Sequence, residues 1–124
     1  MVRTADLNGR KIGIYFAAEW SPPCRAFTPK LAAARDALLR DGKPFEVVFA
    51  SCDRDAEAMI RHMHDAEMPW PAIPFNEQQL AQLRMRFEVQ GYPTLVVLDS
   101  SGRVAARDAR PEVEAQGAAA YDAW

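Results

Sequence analysis

The run Trp20-Ser21-Pro22-Pro23-Cys24-Arg25 puts a hydroxyl and a thiol three positions apart, just behind the apolar run Ile12-Gly13-Ile14-Tyr15-Phe16-Ala17-Ala18. Where a strand runs into a helix, the helix start exposes unpaired N–H groups and carries a partial positive charge. A cysteine at position 21 would have its thiolate stabilised there, with a pKa drawn from ~8.5 into the range of ~3.5–7.5. Such a thiolate attacks a disulfide, and a second thiol one helical turn further on resolves the mixed disulfide. Here position 24 holds a thiol and position 21 a hydroxyl. One of each cannot complete the exchange, because an alkoxide is not available at neutral pH without a strong base. Ser21 keeps the structural half of the design: it is a good helix N-cap, with Pro22 at N1. The two prolines stiffen the turn and cost no hydrogen bond, since the N–H groups they lack would be unpaired anyway.

The elements that must position these groups follow from the pattern around them. Ile12–Ala18 reads as a strand covered on both faces. Leu31, Ala34, Leu38 and Leu39 recur at helical spacing, and Asp41-Gly42-Lys43-Pro44 ends that helix. Phe45-Glu46-Val47-Val48-Phe49-Ala50-Ser51 is a second strand, so a parallel crossover is expected. Asp53 is expected to cap a helix from Arg54 to about Glu67. Met68-Pro69-Trp70-Pro71-Ala72-Ile73-Pro74 cannot be helical. Asn76 caps a further helix with Leu80, Leu83 and Phe87 on one face. Gly91-Tyr92-Pro93 breaks the chain before the strand Thr94-Leu95-Val96-Val97-Leu98. Asp99-Ser100-Ser101-Gly102 turns into Arg103-Val104-Ala105-Ala106. Leu7–Lys11 reads as a turn, and the alanine-rich tail from Pro111 to Trp124 as partly helical. Alternating strands and helices closed by a hairpin give an α/β layered domain.

The 124 residues suffice for one domain, 1–124, with one core. With 49 % hydrophobic and 26 % charged residues the composition is that of a globular chain. A net charge of −2 offers no electrostatic case for nucleic acid or anionic membranes. No apolar run approaches the ~18 residues of a membrane span. Met1-Val2-Arg3-Thr4-Ala5-Asp6 lacks the apolar stretch of a signal peptide, so a cytoplasmic location is expected. Two cysteines are too few for a disulfide framework.

In these residues the chain resembles the thioredoxin superfamily, and within it the tryparedoxin and nucleoredoxin branch. Ala18-Glu19-Trp20 looks like thioredoxin itself. Pro22-Pro23-Cys24-Arg25-Ala26-Phe27-Thr28-Pro29 is similar to the C-P-P-C-R-x-F-T-P run of tryparedoxins, with Ser21 in place of the first cysteine. Phe45–Phe49 matches an F-E-V-V-F strand, and Met68-Pro69-Trp70 with Ile73-Pro74-Phe75 an M-P-W…P-F segment. Tyr92-Pro93-Thr94-Leu95 matches I-P-T-L, and Trp124 resembles the tryptophan of the family's C-terminal segment. The resemblance implies a thioredoxin fold, an α/β domain with a central mixed sheet flanked by helices on both faces. It implies that Ser21 occupies the position of the nucleophilic cysteine and Cys24 that of the resolving thiol. Trp20, Pro22, Pro23, Tyr92 and a cis Pro93 would then form the substrate-binding rim. It also implies a dithiol electron donor such as trypanothione, no bound cofactor, disulfide-containing protein partners such as peroxidases, and a monomer. A naturally redox-inactive protein-binding module on the same fold is the alternative. Two origins of the serine fit: an introduced exchange, since the surroundings keep the pattern of an active enzyme, and a natural one, since the usual trap removes the second cysteine.

Other residues carry weaker signals. Cys52 follows the second strand and is either a quiet thiol, an alternative resolving thiol or a partner of Cys24. Tyr15 lies six residues before Ser21, where thioredoxin has a buried carboxylate and tryparedoxins a tyrosine. Glu19 is expected to be exposed. His62 and His64, two apart on a helix, do not face each other and make a poor metal pair. Arg54, Arg61, Arg84 and Arg86 read as solvated helix faces.

Overall fold

The computed structural model describes residues 10–124. The turn expected at residues 7–11 lies largely outside them. The apolar runs form β1 (Lys11–Ala17), β2 (Phe45–Ser51) and β3 (Thr94–Leu98), followed by the short β4 (Val104–Ala106). The sheet order is β2-β1-β3-β4. β1 pairs in parallel with β2 and antiparallel with β3, and β3 is antiparallel to β4. β1 is therefore central, which is why it is apolar on both faces. At Gly13 an added Cβ would stand 3.0 Å from Leu95 Cδ1 and 3.2 Å from Phe45 Cζ, so glycine lets these side chains cross the strand.

The helices are α1 (Pro22–Arg40), α2 (Ala56–Asp65), α3 (Glu77–Arg86) and α4 (Arg110–Gln116), with a 3-10 helix over Gly117–Ala123. Leu31, Ala34 and Leu38 of α1 join Tyr15, Val47 and Phe49 in one core, with Met59 of α2 and Val113 of α4. Leu80 and Leu83 of α3, with Phe87 at its C-cap, pack with Ile14, Phe16 and Val96 on the opposite face. The helices thus flank a mixed sheet on both faces, as expected for a thioredoxin fold. Leu39, by contrast, is 44 % exposed rather than core.

The helix ends have identifiable causes. At the end of α1 the Gly42 amide bonds Leu39 O and the Lys43 amide bonds Leu38 O, with Gly42 at φ +71°, a conformation glycine adopts without penalty. Asn76 caps α3 as expected, accepting from the Gln79 amide. α2 departs from expectation. Its cap is Asp55, whose carboxylate accepts from the Ala58 amide at 2.8 Å, and the helix starts at Ala56. Asp53 faces inward and has other partners. The proline-bearing segment after α2 is extended, and Ala72 bridges Phe49 in parallel beyond β2. The tail folds back so that Trp124 and Tyr121 pack on Phe45. No helix among the described residues is long and apolar enough to cross a membrane.

Leu31 is fully buried in the α1 core. Leu31→Ala is expected to lower the unfolding free energy by about 2–5 kcal/mol in urea titrations at unchanged m value. A loss below about 1 kcal/mol would contradict this core assignment.

Candidate active site

Ala18, Glu19 and Trp20 connect the end of β1 to α1. Ser21 sits at the N-cap with extended backbone (φ −99°, ψ 111°) and Pro22 and Pro23 open the helix. The expected hydroxyl cap is absent: the Ser21 side chain makes no cap hydrogen bond. The prolines supply the reason. N2 has no N–H to offer, and the N3 amide of Cys24 already donates to Ser21 O at 3.1 Å, with Arg25 N to the same oxygen at 3.3 Å. Cys24 is fully buried, Ser21 is 6 % exposed, and Pro22 and Pro23 are exposed. Trp20 stands out at 62 % exposure.

The peptide bond between Tyr92 and Pro93 is cis. Tyr92 meets Trp20 edge-on with ring centroids 5.9 Å apart, so the rim residues of the two loops touch. Tyr92 is half-buried, and its hydroxyl is pushed up to about 12 by burial and then by the adjacent Cys52 thiol. Cys52 is half-buried and its thiol is raised by burial, only partly offset by Tyr92 and Arg84. Arg84 corrects the solvated-face expectation: it is 24 % exposed and brings Nη1 to 4.0 Å from Cys52 Sγ. Cys24 and Cys52 are both free. They pack with the cores on opposite faces of the sheet, so the pair entertained from sequence does not form.

Beneath α1 lies Tyr15, fully buried. Its hydroxyl donates to Thr28 Oγ1 at 2.8 Å, Thr28 Oγ1 donates to Cys24 O at 2.9 Å, and the tyrosine oxygen lies 3.3 Å from that carbonyl. Burial pushes its pKa well above the usual tyrosine range, so it remains a neutral donor near neutral pH.

Sequence reasoning missed a second buried polar cluster. Asp53 Oδ1 accepts from the Glu19 amide at 2.6 Å, while Oδ2 accepts from Ser51 Oγ at 2.8 Å and lies 3.1 Å from His62 Nδ1. His62 is buried, whereas His64 is exposed beside Asp65. Ser51 faces the carboxylate, not the imidazole, so the three do not form a nucleophilic triad. Glu19 is half-buried rather than exposed, because Arg61 reaches it at 2.6 Å. The available signal was Asp53 two residues past an apolar strand with His62 nine residues further on, too common a spacing to single out. Glu19, Trp20, Arg25, Thr28, His62 and Glu67 are among the residues lining a cleft of about 690 Å³ between α1 and α2.

With this geometry in place, comparison with known proteins gives the class. Residues 9–104 match the thioredoxin-like family, and the chain belongs to it. It is 42 % identical over 97 % of its length to probable nucleoredoxin 1 of Arabidopsis thaliana, of which it spans only 20 %. Among solved structures it is similar to tryparedoxin from Trypanosoma brucei, at 33 % identity and TM-score 0.86, covering 97 % of this chain and 83 % of that one. It is also similar to a tryparedoxin II complexed with glutathionylspermidine, at 37 % identity and TM-score 0.82, covering 90 % and 77 %.

The Asp53 carboxylate gives a pH signature. Burial pushes it up, but hydrogen bonds from His62, the Glu19 amide and Ser51 outweigh this and hold it below the usual range. A depressed folded-state pKa contributes stability above the unfolded value of ~3.9 and loses it as pH falls through the folded value. Asp53→Asn is therefore expected to cost stability at pH 7, and its difference from the parent should shrink as denaturation is repeated below about pH 4. A pH-independent difference would show that the ionised carboxylate is not what stabilises.

Proposed function

We propose that this chain is a tryparedoxin-like thiol–disulfide oxidoreductase domain carrying serine at the position of the attacking cysteine. The observation that carries the reading is the meeting of two loops. The α1 start bearing Ser21 and Cys24 lies beside an exposed Trp20, and Trp20 touches Tyr92 next to the cis Pro93. On this reading Trp20, Pro22, Pro23, Tyr92 and Pro93 receive the backbone of a disulfide-bearing protein such as a peroxidase. A thiolate at position 21 attacks one sulfur of its disulfide and releases the other as a thiolate. Cys24 then displaces the substrate sulfur and closes an intramolecular disulfide, which an external dithiol reduces. Cys24 suits the second step, since its burial bars it from meeting a bulky disulfide directly. That a solved relative is complexed with glutathionylspermidine supports a small glutathione-derived thiol or dithiol, such as trypanothione, as donor. Two free cysteines suit a reducing compartment such as the cytoplasm.

With serine at position 21 the cycle lacks its first step, and dithiol exchange is absent. Ser21 itself therefore favours a second reading, a redox-inactive module that binds a partner through the Trp20 and Pro93 face.

Ser21→Cys separates the two. Insulin or peroxiredoxin reduction with a dithiol donor is expected to rise from background by on the order of 10³-fold or more, as when a missing nucleophile is restored. Adding Cys24→Ser to it should stop turnover and trap mixed disulfides. A folded Ser21→Cys protein no more active than its parent would sink the oxidoreductase reading and leave the binding module.

A further inference from the structure

We propose that His62 is a positioning residue for Trp20, acting through Asp53 and the Glu19 backbone, and that it makes the placement of Trp20 pH-dependent. The substrate-facing part of this inference rests on the reading of Trp20 given above. The coupling itself rests on geometry.

Residue 19 is held twice by α2 and the loop before it. Its amide donates to Asp53 Oδ1 at 2.6 Å, and its carboxylate takes Arg61 Nη2 at 2.6 Å and Nε at 3.2 Å. Asp53 is in turn fixed by Ser51 and by His62 Nδ1. Both side chains are removed from water, at 0 % exposure for Asp53 and 3 % for His62. Phe49 meets the imidazole edge-on at 5.3 Å, so the ring cannot turn away freely. Trp20 is the next residue, largely exposed, and the orientation of its indole depends on the backbone held at Glu19.

The imidazole has one unused end. With Nδ1 facing an ionised carboxylate, Nδ1 carries the proton of the neutral ring and Nε2 is a bare lone pair. Nε2 is buried and has no hydrogen-bond partner among the described residues. A proton taken up there creates an N–H that needs an acceptor in a dry place. The ionisable groups near it are Asp53 at Nδ1, then Glu19, Arg25, Asp65 and Glu67 lining the same cleft, with Arg61 on the Glu19 carboxylate. A carboxylate among the cleft groups becomes an acceptor only if the last turn of α2 or the Glu19 loop shifts. The Glu19 loop runs directly into Trp20, and α2 holds that loop through Arg61 on the Glu19 carboxylate.

The test is ¹⁵N and side-chain NMR of the protein from pH 5 to 8, with no turnover required. The Glu19 amide and the Trp20 indole N–H should shift with the midpoint of the His62 ring protons. His62→Asn keeps a donor to Asp53 and cannot titrate. It should hold the Glu19 amide near its high-pH position, with both signals flat. His62→Phe removes the donor, so the Glu19 amide should move upfield and the Trp20 indole should relocate. His64→Gln, at an exposed position, should leave all of this unchanged. The inference is overturned if His62 does not titrate in this range, if it titrates while Glu19 and Trp20 stay flat, or if their titration survives in His62→Asn. Should His62→Phe not fold, the unsubstituted protein and His62→Asn decide. Inactivity of Ser21→Cys overturns the oxidoreductase reading without touching these signals.

Discussion

The hydrogen bonds joining Tyr15, Thr28 and the Cys24 carbonyl are the constraint on which the rest of this molecule depends. Tyr15 is on the central strand and completely buried, so its hydroxyl has to find partners inside the protein. Among the described residues it finds them on α1: it donates to Thr28 Oγ1 at 2.8 Å, Thr28 donates in turn to Cys24 O at 2.9 Å, and that carbonyl lies 3.3 Å from the tyrosine oxygen. Phe27, Phe49 and Trp70 close around the ring at centroid distances of 5.8, 6.1 and 5.9 Å. The first two turns of α1 are therefore pinned to the middle of the sheet. Breaking this contact leaves buried polar groups unpaired at about 1–3 kcal/mol each, a large share of the stability of a domain this size.

The same strand sets the other half of the site. β1 delivers Trp20 to Cys24 beyond its last residue, Ala17. Antiparallel β3 pairs Thr94 with Phe16, so the residues entering β3 arrive at the same end of the sheet. Thr94 Oγ1 donates to Gly91 O at 2.7 Å and tightens the turn that carries Tyr92 and Pro93. Two segments about seventy residues apart in sequence thus meet because both are continuations of paired strands.

The elements legible in the sequence are those with short-range causes. β2 and β3 follow from unbroken apolar runs, the end of α1 from Gly42, and the cap of α3 from Asn76. What was illegible depends on tertiary partners. Asp53 and Asp55 are equally good caps in sequence, and the choice falls to Asp55 because Asp53 is taken inward by His62, Ser51 and Glu19. Arg84 looks like a surface arginine until the fold brings it beside Cys52 and Tyr92. Leu39 fits the apolar spacing of α1, yet α1 turns it to solvent. The residues of the candidate site were legible because they lie in two short segments. Their meeting was expected from the resemblance, whereas the cluster behind Glu19 was not legible.

The missing cap at Ser21 bears on what that position is for. A serine at an N-cap is ordinarily explained by the hydrogen bond it gives the helix, worth about 1 kcal/mol. Here that explanation fails, since Pro22 and Pro23 have no N–H and Cys24 N is satisfied by the Ser21 carbonyl. The backbone of residue 21 supplies the helix start whatever its side chain. The side chain of position 21 is thus not needed to start the helix, although it is nearly buried at the positive end of α1, next to an exposed tryptophan. On the oxidoreductase reading proposed above, serine and cysteine differ there by one atom, and that atom separates a site able to exchange disulfides from one that is not.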